Sequence, residues 1–420
     1  MHRRTLIKLV AAVAPVLFAA NAIAETTLRI FTGGQQRPDV MRKIADEYQK
    51  RNPNVKVEVE VGGATSEAQQ QYLNTVLSSK DSVLDVVLID VIRPAQWAAA
   101  QWAEPLDSYL GADKPKMLAG YLKAYVDANT VEGKLMSLPY FADSQFMYYR
   151  KDLLEKYKRP VPQTWDDLME TGQIIMKGEN NQNLRGFETA GAPIEGTVCT
   201  YLVPLWGEGS DLTDAKGKLN LNSEAAKYPF QLMGRPKASG VMPSNIGEIP
   251  TDRIRIDMQS GNLIFAQSWG YVWNRLENDA DSQVKGKIGV AVLPHSKGRN
   301  GATCIGGWQL AVSAFSKNKA EAVKFVRYLS SPEVSKMQAI MASHMPVFTD
   351  LYKDPEVLKA NPWFQLAAPV VATAKSRPVT PRYQEVSDAI RSNMNAYLSG
   401  TKTTEVALAD MQKRLAPVFK

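Results

Sequence analysis

Hydrophobic and polar positions fall into two alternating rhythms along the chain. Residues 27–31 (T-L-R-I-F) read as a strand, followed by a turn at Gly33-Gly34. Pro38 and Asp39 open a helix whose Val40, Ile44 and Tyr48 fall four apart on one face. Val55, Val57, Val59 and Val61 alternate with Lys56, Glu58 and Glu60, the period of a half-buried strand. Residues 67–80 return to helical spacing, with Tyr72, Leu73, Val76 and Leu77 on one stripe. Residues 85–90 (D-V-V-L-I-D) set four consecutive apolar side chains between two acids, which suits a central parallel strand covered on both faces. This β-α-β-α-β-α order predicts an α/β domain with a mainly parallel sheet.

The middle of the chain continues the alternation with more helix. Strands are predicted over 145–150, 262–266, 287–293 and 309–313, and helices over 151–157, 165–177, 251–260 and 318–329. Thr164 and Asp167 are spaced as an N-cap and its partner three residues on. From Pro332 onward the pattern is almost all helical. Two short segments, 138–143 (L-P-Y-F-A-D) and 293–298 (L-P-H-S-K-G), follow extended runs and carry a proline. Read as crossings between lobes, they make each lobe discontinuous in sequence and place a hinge beside a cleft.

Residues 1–24 (MHRRTLIKLVAAVAPVLFAANAIA) have a basic start at Arg3, Arg4 and Lys8, an apolar stretch, and a small-x-small end at Ala22-Ile23-Ala24. They read as a secretory signal peptide. The apolar run is too short to span roughly 30 Å of hydrocarbon and contains Pro15. Arg3-Arg4 is compatible with twin-arginine as well as general export. Part of the formal charge of +7 sits in this segment, and no Lys/Arg run of the kind that binds nucleic acid follows. At 420 residues, 45% hydrophobic and 22% charged, the chain has the composition of a soluble globular protein of more than one domain-sized unit.

Motifs for chemistry are sparse. Of three histidines, His2 lies in the signal, and His295 and His344 lack metal-ligand spacing. There is no G-x-S-x-G and no G-x-x-x-x-G-K-[ST]. Tyr148-Tyr149 could be an iron motif, but strand neighbours point to opposite faces, so one core and one surface tyrosine is the plainer reading. What remains is a set of aromatic and acidic residues at loop positions. Asp90 ends the buried strand, where it either faces a ligand crevice or caps the turn. Asp143 lies in the first crossing, Trp269-Gly270-Tyr271-Val272-Trp273 follows a strand, and Gly306-Gly307-Trp308 precedes one.

At these residues the chain resembles the family 1 extracellular solute-binding proteins of ABC importers, and within them the trehalose/maltose-binding proteins. The stretches that carry the resemblance are D-V-V-L-I-D with E-P-L-D-S-Y-L, G-K-L-M-S-L-P-Y-F-A-D, M-Y-Y-R-K-D-L-L-E-K-Y, F-A-Q-S-W-G-Y-V-W, V-K-G-K-I-G-V-A-V-L-P and G-G-W-Q-L. They occur in the family's order over nearly all of the chain after the signal. The resemblance implies a two-lobed periplasmic-binding-protein fold of type II, like maltose-binding protein. It implies lobes of residues 25–140 with 296–330 and 141–295 with 331–420. It also implies a periplasmic protein that needs no cofactor, captures a sugar, and delivers it to membrane permease subunits.

Position by position, the resemblance puts Asp90, Asp143, Trp269, Tyr271, Gly307, Trp308 and Arg377 at the sugar, with Phe141 where relatives often have Tyr. The loop 34–39 (G-Q-Q-R-P-D) should face the cleft, with Gln36 or Arg37 as its contacts. Ala64 and Gln69 stand where near relatives carry Thr and Arg, which leaves the sugar open. On the same alignment Cys199 and Cys304 belong to different lobes. A bond between them would oppose opening, so free thiols are expected. A rival reading is a secreted carbohydrate-active hydrolase with Asp90 and Asp143 as its paired carboxylates.

Overall fold

The computed structural model describes residues 25–419, so the signal-peptide expectation for residues 1–24 lies outside it. Eight strands form the frame: β1 (Thr26–Gly33), β2 (Val55–Gly62), β3 (Val86–Asp90), β4 (Leu138–Arg150), β5 (Arg185–Glu188), β6 (Leu263–Trp269), β7 (Ile288–Ala291) and β8 (Ile305–Val312). Their order is β2-β1-β3-β8-β4-β6-β5, with β7 also pairing β4. β1 runs parallel to β2 in unbroken register from Thr26↔Val55 to Gly33↔Gly62, and parallel to β3. The expected parallel sheet ends there, because β8 lies antiparallel to both β3 and β4, and β4 antiparallel to β6 and β7.

The helices that matter for the site are α1 (Pro38–Arg51), α2 (Ser66–Ser78), α3 (Trp165–Glu179), α4 (Glu195–Gly207), α5 (Thr251–Gln259), α6 (Val272–Asn278), α7 (Lys319–Leu329), α8 (Pro332–Ala342), α9 (Tyr383–Leu398) and α10 (Thr404–Leu415). Helix α3 starts with the expected reciprocal cap: Asp167 N donates to Thr164 Oγ1 at 3.2 Å and Thr164 N donates to Asp167 Oδ2 at 3.0 Å. Tyr148 is fully buried and Tyr149 partly exposed, as alternation requires. The Tyr148 hydroxyl donates to the Trp269 and Gly270 carbonyls, so it is a structural tyrosine.

Two lobes follow from where apolar side chains go. One core joins Leu28, Ile30, Val86, Leu88, Leu138, Leu310 and Phe325, and it takes Val334 and Ala342 of α8 as well. A second joins Phe146, Tyr148, Phe187, Cys199, Phe265, Leu293, Ile390 and Met411 and reaches Val91, Ile92, Tyr121 and Tyr125, and a smaller third gathers Phe31, Leu73, Val87 and Trp97. The 13-residue strand β4 runs from one to the other. Its residues Leu138–Ser144 pair with β8, and Gln145–Arg150 with β6 and β7. The first crossing is therefore unbroken strand. In the second expected crossing, 293–298, Leu293 packs in the second core, and His295 is hydrogen-bonded to Gln163 and Trp165 beside α3.

The expectation of free thiols is overturned. Cys199 on α4 and Cys304 just before β8 form a disulfide, with Cα atoms 6.1 Å apart. Both are fully buried in the second core. Cys304 lies on the second-lobe side of the crossing, where Ser144 Oγ donates to its carbonyl at 3.1 Å and Ile305 N donates to Lys375 O at 2.9 Å. The bond therefore staples two segments within one core.

A link across 105 residues removes chain entropy from the unfolded state, a contribution of roughly 2–5 kcal/mol. We expect the Cys199→Ala/Cys304→Ala double variant to lose about that much in urea unfolding while keeping its ligand affinity in calorimetry. Equal stability of the two proteins would contradict the staple.

Candidate functional site: a cleft between the two cores

Strand ends from both lobes meet around one cavity of about 210 Å³. Asp90 ends β3 opposite Trp308 of β8, and Trp308 faces Phe141 of β4, so three neighbouring strands set these side chains in one row. Asp143 lies opposite Gly306, and Trp269 ends β6 opposite Gln145. The strands pass so closely here that a side chain would not fit. A Cβ on Gly306 would lie 2.5 Å from the Trp269 ring. Gly307 has φ +104°, and a Cβ there would lie 2.5 Å from the Phe141 carbonyl. The Tyr125 hydroxyl clasps the junction, accepting from Asp143 N at 2.9 Å and donating to the Asp143 or Gly306 carbonyl.

Buried polar groups line the cavity in two sets. Asp143 Oδ1 accepts from Gly270 N and Ser144 N, each at 2.8 Å, which fixes the carboxyl between the strands. Burial dominates those bonds and pushes its pKa up to about 7. Asp90 accepts from Arg377 Nη2 at 3.2 Å and from Ser66 Oγ at 3.1 Å. Arg377, 3% exposed, also donates to Glu195 Oε1 at 2.7 Å. Glu195 accepts in turn from Ser387 and Tyr383 of α9. A buried chain of charge thus runs from the first lobe through Arg377 to α4 and α9. The Tyr271 hydroxyl borders the same cavity, with no hydrogen-bond partner among the described residues and its pKa raised by burial.

The two lobes also hold each other directly. Glu67 at the start of α2 accepts from the backbone N–H of Glu195 at the start of α4, so a carboxylate meets a helix N-terminus across the cleft. Its pKa is raised by burial and by the Glu195 carboxylate. Arg93 donates to Gln384 of α9 at 3.0 Å. Arg37 donates to Asn274 of α6 at 2.7 Å and to Asp39 at 2.7 Å.

Of the residues expected at the site, Gln36, Asp90, Phe141, Asp143, Trp269, Tyr271, Gly307, Trp308 and Arg377 all border the cavity. Arg37 does not; its backbone is left-handed (φ 53°) at the start of α1 and its side chain reaches the other lobe instead. Ala64 borders the cavity, whereas Gln69 stands behind it and donates to Gln36 Oε1 at 3.2 Å. Glu195, Glu67, Thr251, Asp252 and His344 also line the cavity and were missed from sequence. Among the described residues, no group of three or more His, Cys, Asp or Glu is placed to hold a metal, and no helix is long and apolar enough to cross a membrane.

A two-lobed fold with a polar, ring-lined cleft between the lobes is the architecture of a solute-binding protein. The chain belongs to the bacterial extracellular solute-binding protein family, whose model matches residues 34–336. It is 34% identical over 413 residues to a probable ABC transporter-binding protein of Deinococcus radiodurans, covering 96% of each chain. It is 23% identical over 418 residues to a mannitol-binding protein of Pseudomonas aeruginosa, covering 94% of this chain and 93% of that one. Among solved structures, maltose-bound MalE3 of T. maritima superposes with a TM-score of 0.88 at 32% identity, covering 94% of this chain and all of that one.

The raised pKa of Asp143 makes a stability signature. Between its ordinary value of 3.8 and about 7 the folded chain holds one more proton than the unfolded chain. This group therefore costs stability as pH rises through that window. We expect the stability gap between Asp143→Asn and the parent to widen in favour of the variant from about pH 4 to about pH 7, by at most about 1.4 kcal/mol per pH unit. Parallel pH profiles in urea unfolding would show that Asp143 titrates normally.

Proposed function

We propose that this protein captures a neutral polyhydroxylated ligand, a disaccharide of the maltose or trehalose kind, outside the cytoplasmic membrane and delivers it to the permease of an ABC importer. The observation that carries this reading is the make-up of the cleft. Two half-buried indoles, Trp269 and Trp308, share one cavity with Asp90, Asp143, Gln36 and Arg377. A sugar presents flat C–H faces to rings and a rim of hydroxyls to fixed polar groups. Hydrogen bonds with a charged partner contribute about 1.5–3 kcal/mol each before ordering and desolvation are subtracted. The rings must then supply much of what is left.

The relatives support the same ligand chemistry: a maltose-bound structure at 32% identity and a mannitol-binding protein at 23%. The disulfide suits an oxidising compartment, in keeping with export. In this reading the lobes swing about the β4 and β8 crossings, and Arg37, Glu67 and Arg93 act as closure contacts while the cavity residues hold the sugar.

Calorimetry with maltose, trehalose and mannitol tests the proposal, with glucose release followed in the same samples. We expect binding to at least one, no glucose release, and a loss of more than about tenfold in affinity for Trp269→Ala and for Trp308→Ala. Sustained turnover that Asp90→Asn or Asp143→Asn abolishes would replace transport with hydrolysis. Unchanged affinity in both tryptophan variants would remove the rings from the site.

A further inference from the structure

Gln36 meets the cavity, and a second glutamine stands directly behind it. Gln69, on the first turn of α2, is buried and does not border the cavity. Its Nε2 gives both hydrogens away, one to the Gly63 carbonyl at 3.0 Å and one to Gln36 Oε1 at 3.2 Å. These acceptors fix which way the amide points. Turned over, it would set its own oxygen against the Gly63 carbonyl oxygen, and neither can donate. The two amides close over Gly33, where a Cβ would collide with Gln69 Nε2 and Gln36 Oε1. The Gln36 backbone is held as well, its N–H donating to the Gly33 carbonyl at 3.2 Å.

With Oε1 of Gln36 already accepting from Gln69, the far end of that amide is Nε2 and its two hydrogens. Gln69 Oε1 is sealed without a partner. Gln36 Nε2 also has no partner among the described residues, but it keeps accessible surface, on a residue that borders the cavity. A free donor there stands out, because Asp90, Asp143, Glu67 and Glu195 line the same cavity with acceptors. Arg377 is already engaged, its two terminal nitrogens donating to Glu195 and Asp90.

We infer that Gln69 is a positioning residue: it holds the Gln36 carbonyl oxygen back and so makes Gln36 a fixed hydrogen-bond donor to a ligand oxygen. The inference rests on the sugar-binding reading and deepens it. A sugar hydroxyl both accepts and donates, so it can take a hydrogen from Gln36 while giving its own to one of the carboxylates. An ammonium group has no lone pair to offer Gln36, so this donor opposes the cation that the carboxylates alone would attract. Gln36, Gly63 and Gln69 all lie in the run from β1 to α2, so the donor is set before the second lobe closes. A group ordered in advance loses less freedom on binding.

The test is calorimetry on the full chain with maltose, replaced by trehalose and then mannitol where maltose does not bind. Gln69→Met keeps an unbranched side chain and removes both hydrogens, which frees the Gln36 amide to turn. It should bind about fivefold more weakly, the scale of one net hydrogen bond. In a Gln36→Met background the same change should cost less than about twofold, because no amide is left to orient. Equal losses in the two backgrounds would make Gln69 a packing residue and overturn the inference, as would unchanged affinity of Gln69→Met. A second readout needs only the parent fold. The Gln36 side-chain amide signal, assigned by its loss from the ¹⁵N–¹H spectrum of Gln36→Met, should shift when the sugar is added. Sugar binding that leaves this signal in place overturns the inference while the sugar-binding reading stands. Failure of the parent to bind maltose, trehalose or mannitol overturns that reading and the inference with it.

Discussion

Two strands must pass from one core to the other side by side, and everything at the cleft depends on how closely they do so. β4 and β8 meet where Gly306 and Gly307 remove the side chains from one of them. The space gained admits the Trp269 ring, the Asp143 carboxyl and the Tyr125 clasp. A carboxyl held by two backbone N–H groups at such a junction cannot wander, and it cannot be solvated as it would be in water. Burial at the junction raises its pKa, against the two N–H bonds that hold it in place and lower it.

The second layer is electrostatic. Arg377 is nearly inaccessible and is shared by Asp90 from the first lobe and Glu195 from the second. Buried ions of this kind gain little net stability, because desolvation offsets their attraction. What they fix is geometry: the guanidinium stands between the two carboxylates only when the lobes are in register. The same condition governs the contacts of Glu67 and Arg93.

Much of the architecture is written locally. The valine alternation of β2, the buried run of β3, the Thr164–Asp167 cap and the helical C-terminal stretch are period and cap signals, and each depends on residues a few positions apart. What could not be read locally depends on tertiary placement. Antiparallel insertion of β8 beside β3 turned an expected parallel sheet into a mixed one. Cys304 packs beside Cys199 in the second core, a placement that no local pattern announces, and that reversed the thiol expectation. At the cleft, the aromatic and acidic positions were legible because strand ends and glycine pairs mark them. Glu195 was not, since a glutamate at a helix start is also an ordinary first-turn residue. His344 was not, because only the fold stacks its ring on Phe141, about two hundred positions away, at the cavity.

The contacts that join the lobes across the cleft have a consequence for unloading. Arg37 to Asn274, Glu67 to the start of α4 and Arg93 to Gln384 are grips that the jaws take on each other, separate from any grip on cargo. Surrendering the cargo means letting go of both kinds at once. If the protein delivers its cargo as proposed, a receptor that prised apart these few polar handles would set the pace of delivery.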